Sequence, residues 1–355
     1  MHRLCPAILL PLLVASCAPA VDVPVVAESF ITEADPAMNI DSVATHPAPS
    51  GGAWLFATAK DTHLVRVYNA ANGALIRDLG GPGTALGQFQ RPNGVLADAG
   101  MLIVVERNNQ RVQLFSLPSL EPLTTFGETD LIKPYGGYLQ HREADRYELF
   151  VTDAYETEDE HVPPPAELDH RVHRFELAIN RDTTGTVTTV TAHHAQSFGE
   201  TEGPGMLNVV ESIWGDPSMD RLLIAEEDPA GGRVIKTYSF AGRYSGPLIG
   251  EGIFRTQPEG IALFACADGS GYWVTTDQDR GRNVFHLFDR RTLDHVGGFS
   301  GEATRNTDGI WLMQDALPEF PSGALYAVHD DQAVAAFDWR DIAAALKMPD
   351  GCSTR

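Results

Sequence analysis

Four short figures in the sequence place an acidic residue, a small residue and a branched apolar residue in a row: Asp41-Ser42-Val43, Glu211-Ser212-Ile213, Glu259-Gly260-Ile261 and Asp308-Gly309-Ile310. Two more places, Asn93-Gly94-Val95 and Tyr135-Gly136-Gly137, carry the figure with a different first residue. If these first residues converge on one point, their carboxylates repel unless they are protonated or neutralised. A hard cation neutralises them best, and oxygen donors of this kind suit Ca²⁺. A ring of purely structural turn residues is the other reading. It would favour Asn, Ser and Asp over two glutamates and a tyrosine.

The spacing of the figures tells what must position them. Successive figures lie 42 to 52 residues apart, apart from a 76-residue gap after Tyr135 that holds the acidic, proline-rich "ETEDEHVPPPAELDH". That stretch reads as a surface insertion. After each figure come two alternating apolar runs joined by a polar turn, as in "LIVVERNNQRVQLFSL" and "YWVTTDQDRGRNVFHLFD", the pattern of a β-hairpin. A further run usually follows, as in "PLTTFGETD" and "VGGFSGEA". Four short antiparallel strands repeated six times predict an all-β, six-bladed β-propeller over residues 24–345. The last repeat runs out of chain after "AAFDW", so its outer strand is expected from "AESFITEAD" near the N-terminus, closing the ring without an open edge. "RDIAAALK" reads as a short terminal helix, with a tail over 346–355.

In such a fold the figures begin the innermost strands, so their first residues should ring one mouth of the central channel. The turns after each second strand should rise at the same face. They carry Lys60, Arg107, Asp153, Glu226-Glu227-Asp228, Asp277 and His329-Asp330. Lone basic residues at turns are usually solvated charges, but Lys60 and Arg107 beside a carboxylate ring would form an anion clamp.

The first sixteen residues stand outside this scheme. Arg3 precedes the apolar run "AILLPLLVA", too short for a stable membrane span, and "VASC" leads to Cys17. The arrangement resembles the lipobox of bacterial lipoproteins, with Cys17 lipidated, residues 17–23 as a linker, and the protein held at a membrane outside the cytoplasm. The alternative is a plain secretory signal cleaved near Ala18 or Ala20. Of the remaining cysteines, Cys266 and Cys352 can pair in an oxidising compartment or stay as one buried and one tail thiol. The formal charge of −22 argues against nucleic acid, whose phosphates demand basic patches. A monomer is expected.

With these residues in hand, the chain resembles the β-propeller phytases, calcium-dependent phosphatases of inositol phosphates. The likeness covers nearly the whole chain after the leader in blade order. Its most specific pieces are "MDRLLIAEED", "PEGIALFACADGSGYWVTT", "NTDGI" and "PEFPSGALYAVHDD…FDWRDIA". The resemblance implies calcium ligation by Asp41, Tyr135, Glu211, Glu227, Glu259 and Asp308. Glu302 matches an aspartate upstream of Asp308 and is placed in the same set. Lys60 and Arg107 match basic residues that hold substrate phosphate, and with Glu211, Glu259 and Asp308 form the expected catalytic group. Three departures are visible. Ile40 stands in place of half of a paired aspartate, Gln257 replaces an acid two positions before Glu259, and Asp153-Ala154 lacks a basic residue.

The resulting expectation is calcium-dependent hydrolysis of phytate or a related phosphorylated small molecule, weakened by those losses. Two competitors remain: a non-catalytic propeller stabilised by a structural ion, and a lactonase-type calcium propeller. The basic pair discriminates, because a lactonase would want His or uncharged polar groups over the metal. For the leader, Cys17→Ser expressed in a Gram-negative host should abolish palmitate labelling and membrane partitioning. Equal partitioning of the variant and wild type would contradict the lipobox.

Overall fold

A computed structural model describes residues 23–348; the leader, Cys17, most of the linker and Cys352 lie outside the described residues. Two short N-terminal strands, β1 (Val25–Val26) and β2 (Phe30–Ile31), precede the first blade. Blade one is β3 (Ile40–Pro47), β4 (Ala53–Ala59), β5 (Leu64–Asn69) and β6 (Leu75–Gly80). Blade two is β7 (Pro92–Asp98), β8 (Met101–Glu106), β9 (Arg111–Ser116) and β10 (Glu121–Phe126). Blade three is β11 (Pro134–Glu143), β12 (Arg146–Asp153), β13 (Val172–Arg181) and β14 (Val187–Phe198). Blade four has β15 (Ile213–Asp216), β16 (Arg221–Glu226) and β17 (Val234–Tyr238). Blade five has β18 (Gln257–Ala265), β19 (Gly271–Gln278), β20 (Val284–Asp289) and β21 (His295–Gly301). Blade six has β22 (Ile310–Met313), β23 (Ala324–His329) and β24 (Ala333–Asp338), followed by helix α1 (Trp339–Ala345). Each blade is an antiparallel meander, and together they make the six-bladed propeller that the repeats predict.

The ring closes as expected, with β2 pairing antiparallel to β24 through Phe30↔Ala336 and Ile31↔Ala335. The sequence reading misses a second clasp. β1 adds in parallel to β21 of blade five, through Val25↔Ser300 and Val26↔Gly301. Blade four also departs from the ideal, since its outer strand is reduced to bridges Ile235↔Ile249 and Tyr238↔Tyr244. The long gap after Tyr135 has two sources. The acidic stretch is a mostly exposed excursion between β12 and β13, and the β13–β14 hairpin is itself long, at 10 and 12 residues. Cys266, the sole cysteine among the described residues, is disulfide-bonded.

Apolar burial follows the same logic. There is no single core but a cluster at each junction: blades one and two, two and three, three and four, four and five, five and six, and six and one. Each blade buries both faces against its neighbours, so its middle strands are buried throughout and apolar up to a terminal carboxylate, as in β8 and β24.

At the axis the figures acquire a structural meaning. In β3, β7, β11 and β18 the pairing register breaks across them, between Ile40 and Val43, Pro92 and Val95, Pro134 and Gly137, and Pro258 and Ile261. A bulge re-aims a side chain, and here it frees the first residue of the figure from the ladder. The small second residue is then required by its neighbour. A Cβ on Gly260 would sit 2.7 Å from the Asp308 carbonyl oxygen, and one on Gly309 would sit 2.6 Å from the Asp41 carbonyl oxygen. Gly94 and Gly136 abut the carbonyls of Tyr135 and Glu211 in the same way. The amides of Gly260 and Gly309 donate to those facing carbonyls, each at 2.9 Å. Where Ser42 stands instead, the Thr58 hydroxyl mediates, accepting from Ser42 N–H at 2.9 Å and donating to the Asn93 carbonyl at 2.7 Å. Gly309→Ala should therefore cost about 1–3 kcal/mol of overpacking, read by denaturant unfolding. A variant as stable as wild type would contradict this packing.

Candidate functional site

Bulges deliver Asp41, Tyr135 and Glu259 to one mouth, Glu211 and Asp308 reach it from the chain just before β15 and β22, and the turns after the second strands deliver Lys60 and Glu227 to the same place. All but Asp41 and Glu227 line an open cavity of about 700 Å³, together with Gln257, Gln278, Asp279, Arg280 and Asp331. Asp41 and Glu227 sit against its floor, with 1% and 6% of their surface exposed. Lys60 is nearly as buried and donates to Asp41 Oδ1 at 2.6 Å, while the Tyr135 hydroxyl donates to the same oxygen at 2.8 Å. Glu211, Glu227 and Glu259 each bring a carboxylate oxygen within 4.8 Å of the other two. Gln257 Nε2 bridges two of them, donating to Glu227 Oε2 at 3.1 Å and Glu259 Oε1 at 2.8 Å.

The electrostatics of this group are severe. Burial, with Asp41 adding to it, pushes the Glu211 carboxyl up from 4.5 to about 8, against opposition from Lys60, Tyr135 and Arg107. Burial and the neighbouring carboxylates raise Glu227, Glu259 and Asp308 well above their ordinary values. Burial alone would lower the Lys60 pKa, but Asp41, Asp308 and Glu211 more than reverse it. Two buried oxygens, Asp41 Oδ2 and Glu227 Oε1, have no hydrogen-bond partner. An unpaired buried carboxylate oxygen is costly, and three convergent carboxylates with an orphan oxygen among them fit a hard divalent cation.

The remaining expectations divide. Arg107, at the end of β8, is half-buried and near enough to Glu211 to oppose the rise of its pKa. Asn93 is buried with its Oδ1 unpartnered, but it does not line the cavity. Glu302 is exposed after β21 and does not join the carboxylates, so its place in the ligand set is corrected. Asp331, from the β23–β24 turn, stands there instead: it lines the cavity, hydrogen-bonds with Asp308 and accepts from Asn306 Nδ2 at 2.9 Å. Asp330 turns away to Arg305, at 2.7 Å.

Asp153, Glu226 and Asp277 also leave the expected second ring. Asp153 accepts the backbone N–H groups of Ile132 and Lys133, both at 2.7 Å. Asp277 accepts those of Arg255 at 2.9 Å and Thr256 at 3.0 Å, and Glu226 those of Asn208 at 2.8 Å and Val209 at 3.1 Å. These carboxylates tie each blade to the chain that enters it. One residue later the strand alternates, so Lys60, Glu227 and Gln278 are the ones that face the mouth. Ala154 is their counterpart in blade three, and it brings no charge.

Neither a family model nor a curated protein matches this sequence. Similar solved structures include hydrazine synthase of Kuenenia stuttgartiensis, with a TM-score of 0.49 and 10% identity over 89% of this chain and 81% of that one. A chain of a nidogen/laminin complex has a TM-score of 0.47 and 14% identity over 81% of this chain and 90% of that one. Streptogramin B lyase has a TM-score of 0.47 and 10% identity over 86% of this chain and 97% of that one. Identities this low transfer neither a ligand nor a reaction.

The raised carboxyl pKa values carry a sign. A carboxyl whose folded pKa exceeds its unfolded value contributes stability below the unfolded pKa and loses it as pH rises through the folded one. In chelator, the melting temperature should therefore fall from pH 5 to pH 8.5. Excess divalent cation should flatten the fall, and so should Glu211→Gln combined with Glu259→Gln. A chelated wild type whose melting temperature is constant across this window would contradict the assignment.

Proposed function

We propose that this chain is a calcium-dependent phosphomonoesterase acting on phytate or a related phosphorylated small molecule. The observation that carries the reading is the convergence, at one mouth, of three close carboxylates with the cations Lys60 and Arg107. The blade-by-blade resemblance to β-propeller phytases supports it, since the matched residues Asp41, Lys60, Tyr135, Glu211, Glu227, Glu259 and Asp308 gather there. No histidine lines the cavity, which disfavours the lactonase alternative.

Glu211, Glu227 and Glu259 would hold the ion, with Asp308 and Asp41 beside them. The chemistry calcium supplies when bound is neutralisation of phosphoryl oxygens and activation of water. The chain's own side chains do the rest. Gln257 fixes the separation of Glu227 and Glu259, taking the place of an acid without adding charge. Tyr135 and Lys60 hold the Asp41 carboxylate in one orientation. Arg107 offers a forked donor to a phosphate, a geometry that suits bidentate contact.

Arg280, on the turn after β19, lines the same cavity in an exposed position. Cations from blades one and two therefore face one from blade five across the mouth. That separation suits a substrate with phosphates on more than one side, as phytate has. An oxidised Cys266 suits a compartment outside the cytoplasm.

The test is phosphate release from phytate and from p-nitrophenyl phosphate, in calcium and in chelator. Release should require calcium. Arg107→Ala should lower kcat/KM by roughly a hundredfold, the scale of a lost transition-state donor. Arg107 is the cleaner variant, because Lys60→Ala also strands the buried Asp41. Arg280→Ala should raise KM for phytate and leave p-nitrophenyl phosphate nearly unchanged. Release no faster in calcium than in chelator would favour the non-catalytic propeller, and lactone hydrolysis without phosphate release would favour the lactonase.

A further inference from the structure

The opposite mouth of the channel, where the innermost strands end, has a separate chemistry. Two adjoining cavities of about 370 and 610 Å³ lie there and share Asp98, Tyr138, Leu139, Trp214, Gln314 and Asp315. The aromatic wall is built by the repeat itself. The position after the three-residue figure is Tyr138 in blade three, Trp214 in blade four and Trp311 in blade six, against Ala44, Leu96 and Ala262 in the others. Trp214 and Trp311 stand edge to face, with ring centroids 5.2 Å apart and planes at 81°. Tyr138 lies 5.7 Å from Trp214, and its ring fills the space that a Cβ on Gly215 would need. Both indoles are partly exposed, and both also line the narrow channel behind.

The charges at this mouth do not cancel. Its one arginine, Arg290, is taken by Asp216 at 2.6 and 2.9 Å. His46 has its Nδ1 2.8 Å from the Pro47 carbonyl, and the His141 ring packs on Tyr147 at 5.0 Å. Asp98 accepts the Ala99 backbone N–H at 2.6 Å and, like Asp315, is exposed. No Lys lines either cavity, and the basic side chains near Asp98 are the imidazoles of His46 and His141, so two carboxylates stand beside an aromatic wall without a permanent cation to pair them. Aromatic faces attract cations through the ring quadrupole, Trp most strongly, and do so best where water is partly excluded. An anion would be repelled here.

We propose that this mouth binds a small organic cation of the alkylammonium class. Its apolar substituents pack against Trp214, Trp311 and Tyr138, and Asp98 and Asp315 supply the counter-charge. The site stands on its own observations and is independent of the phosphatase reading.

The test is a tryptophan-fluorescence titration of the purified protein with choline, alongside its neutral isostere 3,3-dimethylbutan-1-ol and glucose. Choline should give a saturable change, the neutral alcohol should bind at least tenfold more weakly, and excess chelator should leave choline binding unchanged. Asp98→Asn and Asp315→Asn, both at exposed positions, should each weaken choline binding severalfold while the melting temperature stays within a few degrees. Equal binding of the neutral alcohol would reduce the site to an apolar pocket and overturn the proposal. Saturation by glucose in preference to choline would make it a sugar site, and the absence of saturation with choline, or choline binding unchanged in both variants, would also overturn it.

Discussion

Five of the six blades meet the axis through one recurring contact, in which the small second residue of a figure lies against the backbone carbonyl of the next figure's first residue. It occurs directly at Gly94, Gly136, Gly260 and Gly309, and through the Thr58 hydroxyl at Ser42. The contact fixes the distance between neighbouring innermost strands, and one side chain per blade stands outside the β-ladder, freed by a bulge in blades one, two, three and five and by the late start of β15 and β22 in blades four and six. Asp41, Tyr135, Glu211, Glu259 and Asp308 gather at the mouth, whereas Asn93 stays buried outside the cavity. The acidic site is thus a by-product of how the ring closes, and its residue types are open to choice only because the backbone has already done the structural work. Four of the six released positions carry a carboxylate.

This arrangement cannot be neutral to the fold. Ionised oxygens within 4.8 Å of one another repel by at least roughly 3 kcal/mol per pair at an effective dielectric constant of about 20. Lys60 compensates Asp41 directly, but Glu211, Glu227 and Glu259 have no such partner, and Gln257 contributes dipoles in place of charge. The protein can answer by retaining protons or by recruiting a cation. The first route explains the upward pKa shifts, and the second turns the same strain into binding energy for an ion.

The fold was legible because the repeat is carried by strongly constrained positions: the small residue at each axial contact, the apolar middle strands and the hairpin turns. The N-terminal clasp on blade six was readable from the missing last strand. The second clasp, β1 on β21, was not, because a two-residue parallel pairing leaves no periodicity. Site residues set by the figures were legible for the same reason as the fold. Those on the turns were legible only in part: Lys60 and Glu227 were readable, but strand alternation sends Asp153 and Asp277 to backbone amides and, in blade five, the successor Gln278 to the mouth. A one-residue offset therefore exchanges a structural carboxylate for a site residue. Asp331 was missed because the β23–β24 turn, with Asp330 and Asp331 both at positive φ, turns Asp330 to Arg305 and leaves Asp331 at the mouth, and Glu302 was assigned by likeness of order alone, without a turn to aim it.

The central claim is that the acidic mouth is a cation site built by the axial ring. Its most direct measurement is a crystal structure grown in calcium, with anomalous diffraction collected to locate the ion. The account predicts a calcium peak between Glu211, Glu227 and Glu259, within coordination distance of Glu227 Oε1. A well-ordered mouth holding only water, with those carboxylates hydrogen-bonded to one another, would contradict it.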